Sequence, residues 1–304
     1  MPVTFGLHGL PLDAYDDRDG AAFLAGYARA VEVLGPEFTT LWASDHLQFD
    51  DGTVLECWTR LVYLAARFER FKVGSLVLGQ GYRNPALLAK MAATLQFLTD
   101  GRFVLGIGAG WKEDEYRAYG YDYPSRKQRV DQLREALTIL RLMWQGGPVT
   151  FDGEYYSVAD AYCMPKPAPP IPVVIGSGGA RVMRLAAEHG DGWNWDALPD
   201  SFPALRDQMA TMLDEVGRPA DTFAISANII VDFPDDASTF VGIERTDFPE
   251  YDNDQVVWGP TPADAIAGLR PFVDLGVTHF QVSPSDLRTL ERFAADVAPV
   301  LARS

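Results

Sequence analysis

The sequence predicts a (β/α)8 barrel, an α/β fold, and two observations predict it. Eight short apolar runs, at 3–10, 38–44, 72–79, 103–109, 171–176, 192–195, 223–232 and 278–283, have the length and composition of buried strands. Amphipathic segments separate most of them, and strands alternating with helices build a parallel sheet that eight units can close. The size agrees: 304 residues, 47% hydrophobic and 22% charged, suffice for one large core in a single domain, 1–304.

The elements follow in order. The first run, "VTFGLHGL", is a strand with His8 near its end, and the second, "FTTLWASDHL" (38–47), leaves its apolar stretch on an acid and an imidazole, Asp45 and His46. After the third, Asn84 and Pro85 open a helix as cap and first residue, Leu88, Met91, Leu95 and Leu98 share its face, and Gly101 closes it. Helical spacing recurs in Val130, Leu133, Leu137 and Leu140, and in Leu287, Leu290, Phe293 and Val297. Two stretches break the rhythm. Residues 146–172, rich in proline and aromatics, are too long for an ordinary connection and read as an ordered excursion; residues 232–260, acidic and rich in turn formers, read as a lid or binding loop. Both are expected as insertions at the barrel mouth.

Composition excludes several classes. A net charge of −16 repels phosphate backbones and anionic membranes, so neither nucleic acid nor membrane is an expected partner. No basic segment precedes an apolar core and no run of some 18 apolar residues occurs, which makes the cytoplasm the expected address. Cys57 and Cys163 lie far apart without CxxC spacing and read as reduced thiols. No two histidines have metal-ligand spacing, and no metal is expected. His189, before Gly190, reads as a cation at a helix C-terminus with a left-handed glycine cap, and His279 as lying at the barrel end remote from the mouth.

Two glycine-rich runs, "VLGIGAGW" (104–111) and "VVIGSGGAR" (173–181), stand where an apolar strand gives way to a helix. Glycine there lets backbone amides approach an anion closely. Neither is a dinucleotide fingerprint, because the last position of each GxGxxG frame is Trp111 or Arg181. At the C-terminal ends of barrel strands, where active sites assemble, they point to an anion site.

"LWASDHL", "YRNPALLAKMAATLQFLTDGRFVLGIGAGWKEDEYRAYG", "DGEYY" and "IGSGGARVMRLAAEHGDGWN", in this order, resemble the bacterial-luciferase-like superfamily, most of all its coenzyme F420-dependent oxidoreductases. The resemblance is strong over residues 3–200 and looser beyond, through "VVWGPTPADAIAGLRPFVDLGVTHFQV". It implies a luciferase-like barrel that moves a hydride between C5 of a deazaflavin and a small organic substrate; dimers are common among relatives, so a homodimer is open to this chain. In this comparison Asp45 and His46 sit beside the cofactor ring, His46 at its reactive face as the proton-exchanging group. Trp42 is an aromatic neighbour. Leu76 and Val77 match a strand bulge built on a non-prolyl cis peptide behind the ring, and Gly79 and Gly81 leave room for its edge. Gly110 and Trp111, then Gly176, Ser177, Gly178, Gly179 and Ala180, offer amides to the cofactor phosphate, and Arg83, Lys112 and Arg181 are the nearest cations in sequence. Two readings stand beside this one: a flavin mononucleotide (FMN) monooxygenase served by a separate reductase, and a cofactor-binding barrel without catalysis.

Overall fold

The computed structural model describes residues 2–9, 19–49, 53–244 and 255–303. Eight parallel strands form the barrel: β1 (Thr4–His8), β2 (Phe38–Ala43), β3 (Lys72–Ser75), β4 (Phe103–Gly108), β5 (Val173–Gly176), β6 (Gly192–Asp196), β7 (Ala224–Val231) and β8 (His279–Pro284). Closure is through β8 and β1, where Thr4 pairs with His279 and Leu7 with Val282. Side chains alternate as the pleat requires. Phe5, Leu7, Leu41, Val73, Leu105, Ile107, Ile175, Trp193, Ala227, Phe280 and Val282 point outward under the helices and are fully buried. Burying each large one contributes roughly 1.5–3 kcal/mol.

The inward set is more polar and explains several glycines. Trp42 fills the lower barrel, its indole lying where a Cβ on Gly6 or Gly74 would stand, 2.2 and 2.3 Å from ring atoms. Its Nε1 donates to Nε2 of His279 (3.0 Å), whose Nδ1 bonds Thr4 Oγ1 (2.8 Å), so His279 does lie at the barrel end remote from the mouth. Burial lowers its pKa to about 3. Higher up, Asn194 Nδ2 reaches Ser226, Asn228 and Gln281, tying β6, β7 and β8 together.

One expected strand is broken. Residues 72–79 are not continuous: after Ser75 the chain leaves the ladder, the Leu76–Val77 peptide is cis, and Leu78–Gly79 resumes pairing with Ile107 and Gly108 of β4. Ser75 itself stands against β4, its hydroxyl donating to Gly106 O (2.8 Å) and accepting from Gly106 N (3.0 Å). A Cβ on Gly106 would lie 1.9 Å from the Ser75 carbonyl oxygen, so this approach requires glycine.

The helix Pro85–Leu98 starts on Asn84, whose Oδ1 accepts from the Ala86 and Leu87 amides, and Gly101 follows with φ +85°. The longest helix, Arg126–Gln145, opens on a reciprocal Ser125–Gln128 capping box. At the chain's end the periodic face of Leu290, Phe293 and Val297 is buried, although Phe293–Val297 winds as a π-helical turn between Leu287–Arg292 and Ala298–Ala302. The expectation for His189 and Gly190 fails on both counts. Gly190 has φ −83°, and glycine is needed for space instead, a Cβ meeting Ala186 O at 2.9 Å. Burial lowers the His189 pKa, against the charged form that a dipole contact requires.

The stretch 146–172 carries an antiparallel hairpin, Val149–Asp152 with Ser157–Ala161. Glu135 of the long helix holds its turn, accepting from the amides of Glu154, Tyr155 and Tyr156. In the stretch 232–260, Gln255–Trp258 pairs with β7 and with Ile243–Glu244, and residues 245–254 lie outside the described residues. Among the described residues no helix is long and apolar enough to cross a membrane.

Candidate active site

The C-terminal ends of the strands gather the site residues, beginning with Asp45 just beyond β2. Its carboxylate is buried and fully engaged: Oδ2 accepts from the Gly79 amide (2.9 Å) and Arg83 Nη1 (2.8 Å), Oδ1 from Arg83 Nη2 (2.9 Å). Asp45 thereby clamps the segment that follows the break in β3. Arg83 is committed to the same clamp and reaches Glu56 as well (2.6 Å), so it is part of the wall. These carboxylates outweigh burial and hold the guanidinium firmly charged.

His46, one residue on, is 18% exposed and held by Glu115, whose Oε1 lies 2.8 Å from Nδ1. Glu115 is 0% exposed, accepts from Tyr82 Oη (2.9 Å) and stands 3.9 Å from Lys112 Nζ. A carboxylate only accepts, so Nδ1 carries a hydrogen, and Nε2 is the nitrogen turned from Glu115 that can exchange a proton. Burial, and then the bond to Glu115, push the Tyr82 pKa far up, which keeps that hydroxyl a donor. Phe49 and Trp111 flank the imidazole at 4.5 and 5.6 Å between ring centres.

Two clefts meet at this histidine. The first, about 640 Å³, runs from Asp45 and His46 over Leu76, Val77 and Gly79, past Gly110 and Trp111, to Gly176, Ser177, Gly178 and Gly179, with Arg126 and Arg129 on its far wall. Glycine is required along it, since a Cβ on Gly176 would lie 2.9 Å from Val77 Cγ1 and one on Gly178 would lie 2.6 Å from the Trp195 ring. Gly110 has φ +76° and a Cβ there would strike Tyr116 Oη at 2.3 Å. The helix Ala180–His189 starts at the cleft end; the Val182 and Met183 amides bond the Gly179 carbonyl, and those of Ala180 and Arg181 precede the helical ladder. Glycine amides, a helix N-terminus and two guanidinium groups suit an anionic tail, and the flat apolar floor of Leu76 and Val77 suits a ring, so the residues present fit a deazaflavin cofactor.

The second cleft, about 760 Å³, shares His46, Leu76, Val77, Trp111, Gly176 and Trp195 with the first and continues to His8, Ser44, Asn194, Asp196, Asn228, Asp232, Ser283 and Ser285. His8 bonds Ser283 (3.0 Å) and Ser44 (2.8 Å) through its two nitrogens. Burial, with Arg60 and His46 adding like charge, lowers its pKa to about 4, so it is neutral at pH 7.

Four expected positions lie elsewhere. Trp42 stands below, in the barrel interior, and lines neither cleft. Ala180 is exposed on the first turn of its helix, Arg181 is turned to Asp131 (2.9 Å), and the space beside Gly81 is filled by the Tyr116 ring. Lys112 is buried and pairs with Asp114. Residues that the sequence did not single out do more: Glu115 and Tyr82 at the histidine, Arg126 and Arg129 at the anion end, Asp196 and Asp232 in the second cleft. The arginine pair left a signal. Basic side chains three apart on the first turn of a long helix oppose the helix dipole, and such a placement asks for an anion.

Comparison with known proteins bears on what this site does. The family model for luciferase-like monooxygenases matches residues 4–240. An F420-dependent glucose-6-phosphate dehydrogenase of Kineococcus radiotolerans is 31% identical, the match covering 97% of this chain and 98% of the relative. A second, from Intrasporangium calvum, is 32% identical over 94% of this chain and 96% of its own. Among solved structures, an F420-dependent secondary alcohol dehydrogenase bound to an F420–acetone adduct superposes with a TM-score of 0.81 at 20% identity, covering 100% of both chains.

Proposed function

The chain belongs to the luciferase-like family, in its branch of F420-dependent oxidoreductases, and on that premise we propose how its own residues carry the reaction. The observation that carries the reading is the place of His46, the polar side chain common to both clefts. Bound F420 supplies hydride exchange at the C5 carbon of its ring, a site of two-electron chemistry. Leu76 and Val77 would form the floor for its ring in the first cleft, with Trp111 beside it. Arg126, Arg129 and the Gly178 amide would hold the phosphate end beside the start of the helix Ala180–His189, while the Ser177 and Gly179 amides are engaged by the Asn194 carbonyl and Ser177 Oγ and shape the loop.

His46 holds or takes a proton at Nε2, at the substrate oxygen in the neighbouring cleft. Glu115 keeps the ring in the tautomer and orientation that this requires, as an orienting carboxylate does for a catalytic imidazole. Asp45 acts through others: with both oxygens occupied, it sets the Gly79 amide and Arg83 and so shapes the cleft wall. Trp42 supports the floor from below.

Fluorescence titration with F420 and with FMN tests this reading. Binding of F420 in the micromolar range or tighter, with FMN appreciably weaker, is expected. Protein that purifies with stoichiometric FMN and shows no response to F420 would return the site to the monooxygenase alternative.

A further inference from the structure

We infer that the substrate is an unphosphorylated, polyhydroxylated alcohol, a free sugar or polyol, rather than a phosphate ester of the kind that the curated relatives' names specify. The inference rests on the hydride-transfer reading above and concerns the second cleft. Among the described residues that line it there is no lysine or arginine, whereas Asp196 and Asp232 both face it. Asp196 is 4% exposed and accepts from Asn228 Nδ2 (3.0 Å); Asp232 accepts from Ser285 Oγ (2.5 Å). His8, neutral at pH 7, adds no positive charge.

The basic groups nearby are spent elsewhere. Lys112 pairs with Asp114 beside Glu115, Arg288 with Asp235, and Arg292 donates to the Phe233 carbonyl (3.0 Å). Among the described residues, a phosphate dianion in this cleft would meet two carboxylates and no compensating cation, an arrangement that rejects it by like-charge repulsion. Hydroxyl groups meet the opposite situation, because carboxylate and amide oxygens accept from them and serine hydroxyls exchange bonds with them. Phe49, Trp111 and Trp195 add aromatic faces for the C–H surface of a saturated ring or chain. Among the described residues the cations that line this mouth, Lys112, Arg126 and Arg129, stand in the other cleft, where an anionic cofactor would need them.

The reaction balances on these groups. The carbinol carbon gives up its hydrogen with two electrons to C5 of the cofactor, the hydroxyl proton goes to Nε2 of His46, and a carbonyl remains.

The test uses the whole chain, loaded with oxidised F420 and checked for binding by fluorescence before any substrate is added. Glucose and sorbitol are then compared with glucose 6-phosphate and sorbitol 6-phosphate by the loss of F420 absorbance. At least one neutral compound should reduce F420 with a kcat/KM about 100-fold or more above that of its phosphate ester. In Asp232→Asn the ratio should move toward the ester by about tenfold, a comparison made within one protein and so insensitive to a general loss of folding. Equal or faster turnover of the esters, no turnover with either neutral compound, or an unchanged ratio in Asp232→Asn would each overturn the inference while leaving the F420 reading in place. Failure to bind F420 would remove both.

Discussion

The two clefts that meet at His46 differ little in size, about 640 and 760 Å³, and differ sharply in charge. One ends on glycine amides, a helix N-terminus and two arginines; the other ends on carboxylates, amides and hydroxyls. A strongly acidic chain can therefore offer an anion site by concentrating cations and backbone dipoles at one end of its mouth, where local field counts for more than net charge. On the proposals above, the division separates two tasks, holding a charged cofactor and orienting an uncharged reactant. A single imidazole faces both.

Removing that imidazole should have the largest effect. In His46→Ala, turnover is expected to fall by about 10²- to 10⁴-fold, the usual contribution of a positioned acid or base, with F420 affinity nearly unchanged. Glu115→Gln keeps an acceptor for Nδ1–H without the negative charge and should cost about tenfold in turnover. Steady-state rates measured beside cofactor titrations separate the two. Normal turnover in His46→Ala would dissolve the link between the clefts and leave His46 as a wall residue.

Much of this is legible in the sequence. The barrel follows from strand and helix periods, because inward and outward faces are written in the alternation of residues such as Phe5, Leu7, Leu41 and Leu105. The glycine runs were legible for the same reason that they are necessary: a Cβ at Gly106, Gly176 or Gly178 would collide with a neighbouring strand or ring. The Leu76–Val77 position came only from family likeness, since nothing in "GSLVLG" marks a broken strand. Glu115 was hidden for a different reason. It is one of three acids in the first turn of the short helix Glu113–Ala118, and only the tertiary fold buries it against His46 while Glu113 pairs with Arg117. Asp45 was read as a partner of the ring, and its clamp on Arg83 and Gly79 requires three segments distant in sequence.

The charge contrast can be probed from the basic side. Arg126 is exposed at the rim of the first cleft, with its Nη2 3.0 Å from where a Gly179 Cβ would lie. Arg126→Ala should weaken F420 binding by about tenfold, the order of one charge-assisted contact, and less so at high salt, where screening shrinks the difference. Substrate KM should stay put, because the second cleft does not use this arginine. A KM that rises in step with the F420 dissociation constant would break the division of labour.

The smallest effect concerns the floor beneath both clefts. His279 is neutral there, with its pKa lowered from 6.5 to about 3, first by burial and then by Lys72, while in the unfolded chain it titrates near 6.5. Below pH 6.5 the unfolded state binds a proton that the folded state refuses, so stability present at neutral pH is lost as pH falls toward 3. The full slope for one such group is about 1.4 kcal/mol per pH unit; the ring is partly reachable from the open end of the barrel, and screening there should reduce it to about 1 kcal/mol. His279→Gln can still accept from Trp42 and donate to Thr4 and does not titrate, so urea unfolding at pH 7 and pH 5 should show a shallower loss in the variant by about that amount per unit. His8, lowered to about 4 at the edge of the second cleft, contributes in the same direction and remains in both proteins. Identical slopes would mean that the folded floor admits the proton, and that the Trp42–His279–Thr4 chain yields to water more readily than its hydrogen bonds imply.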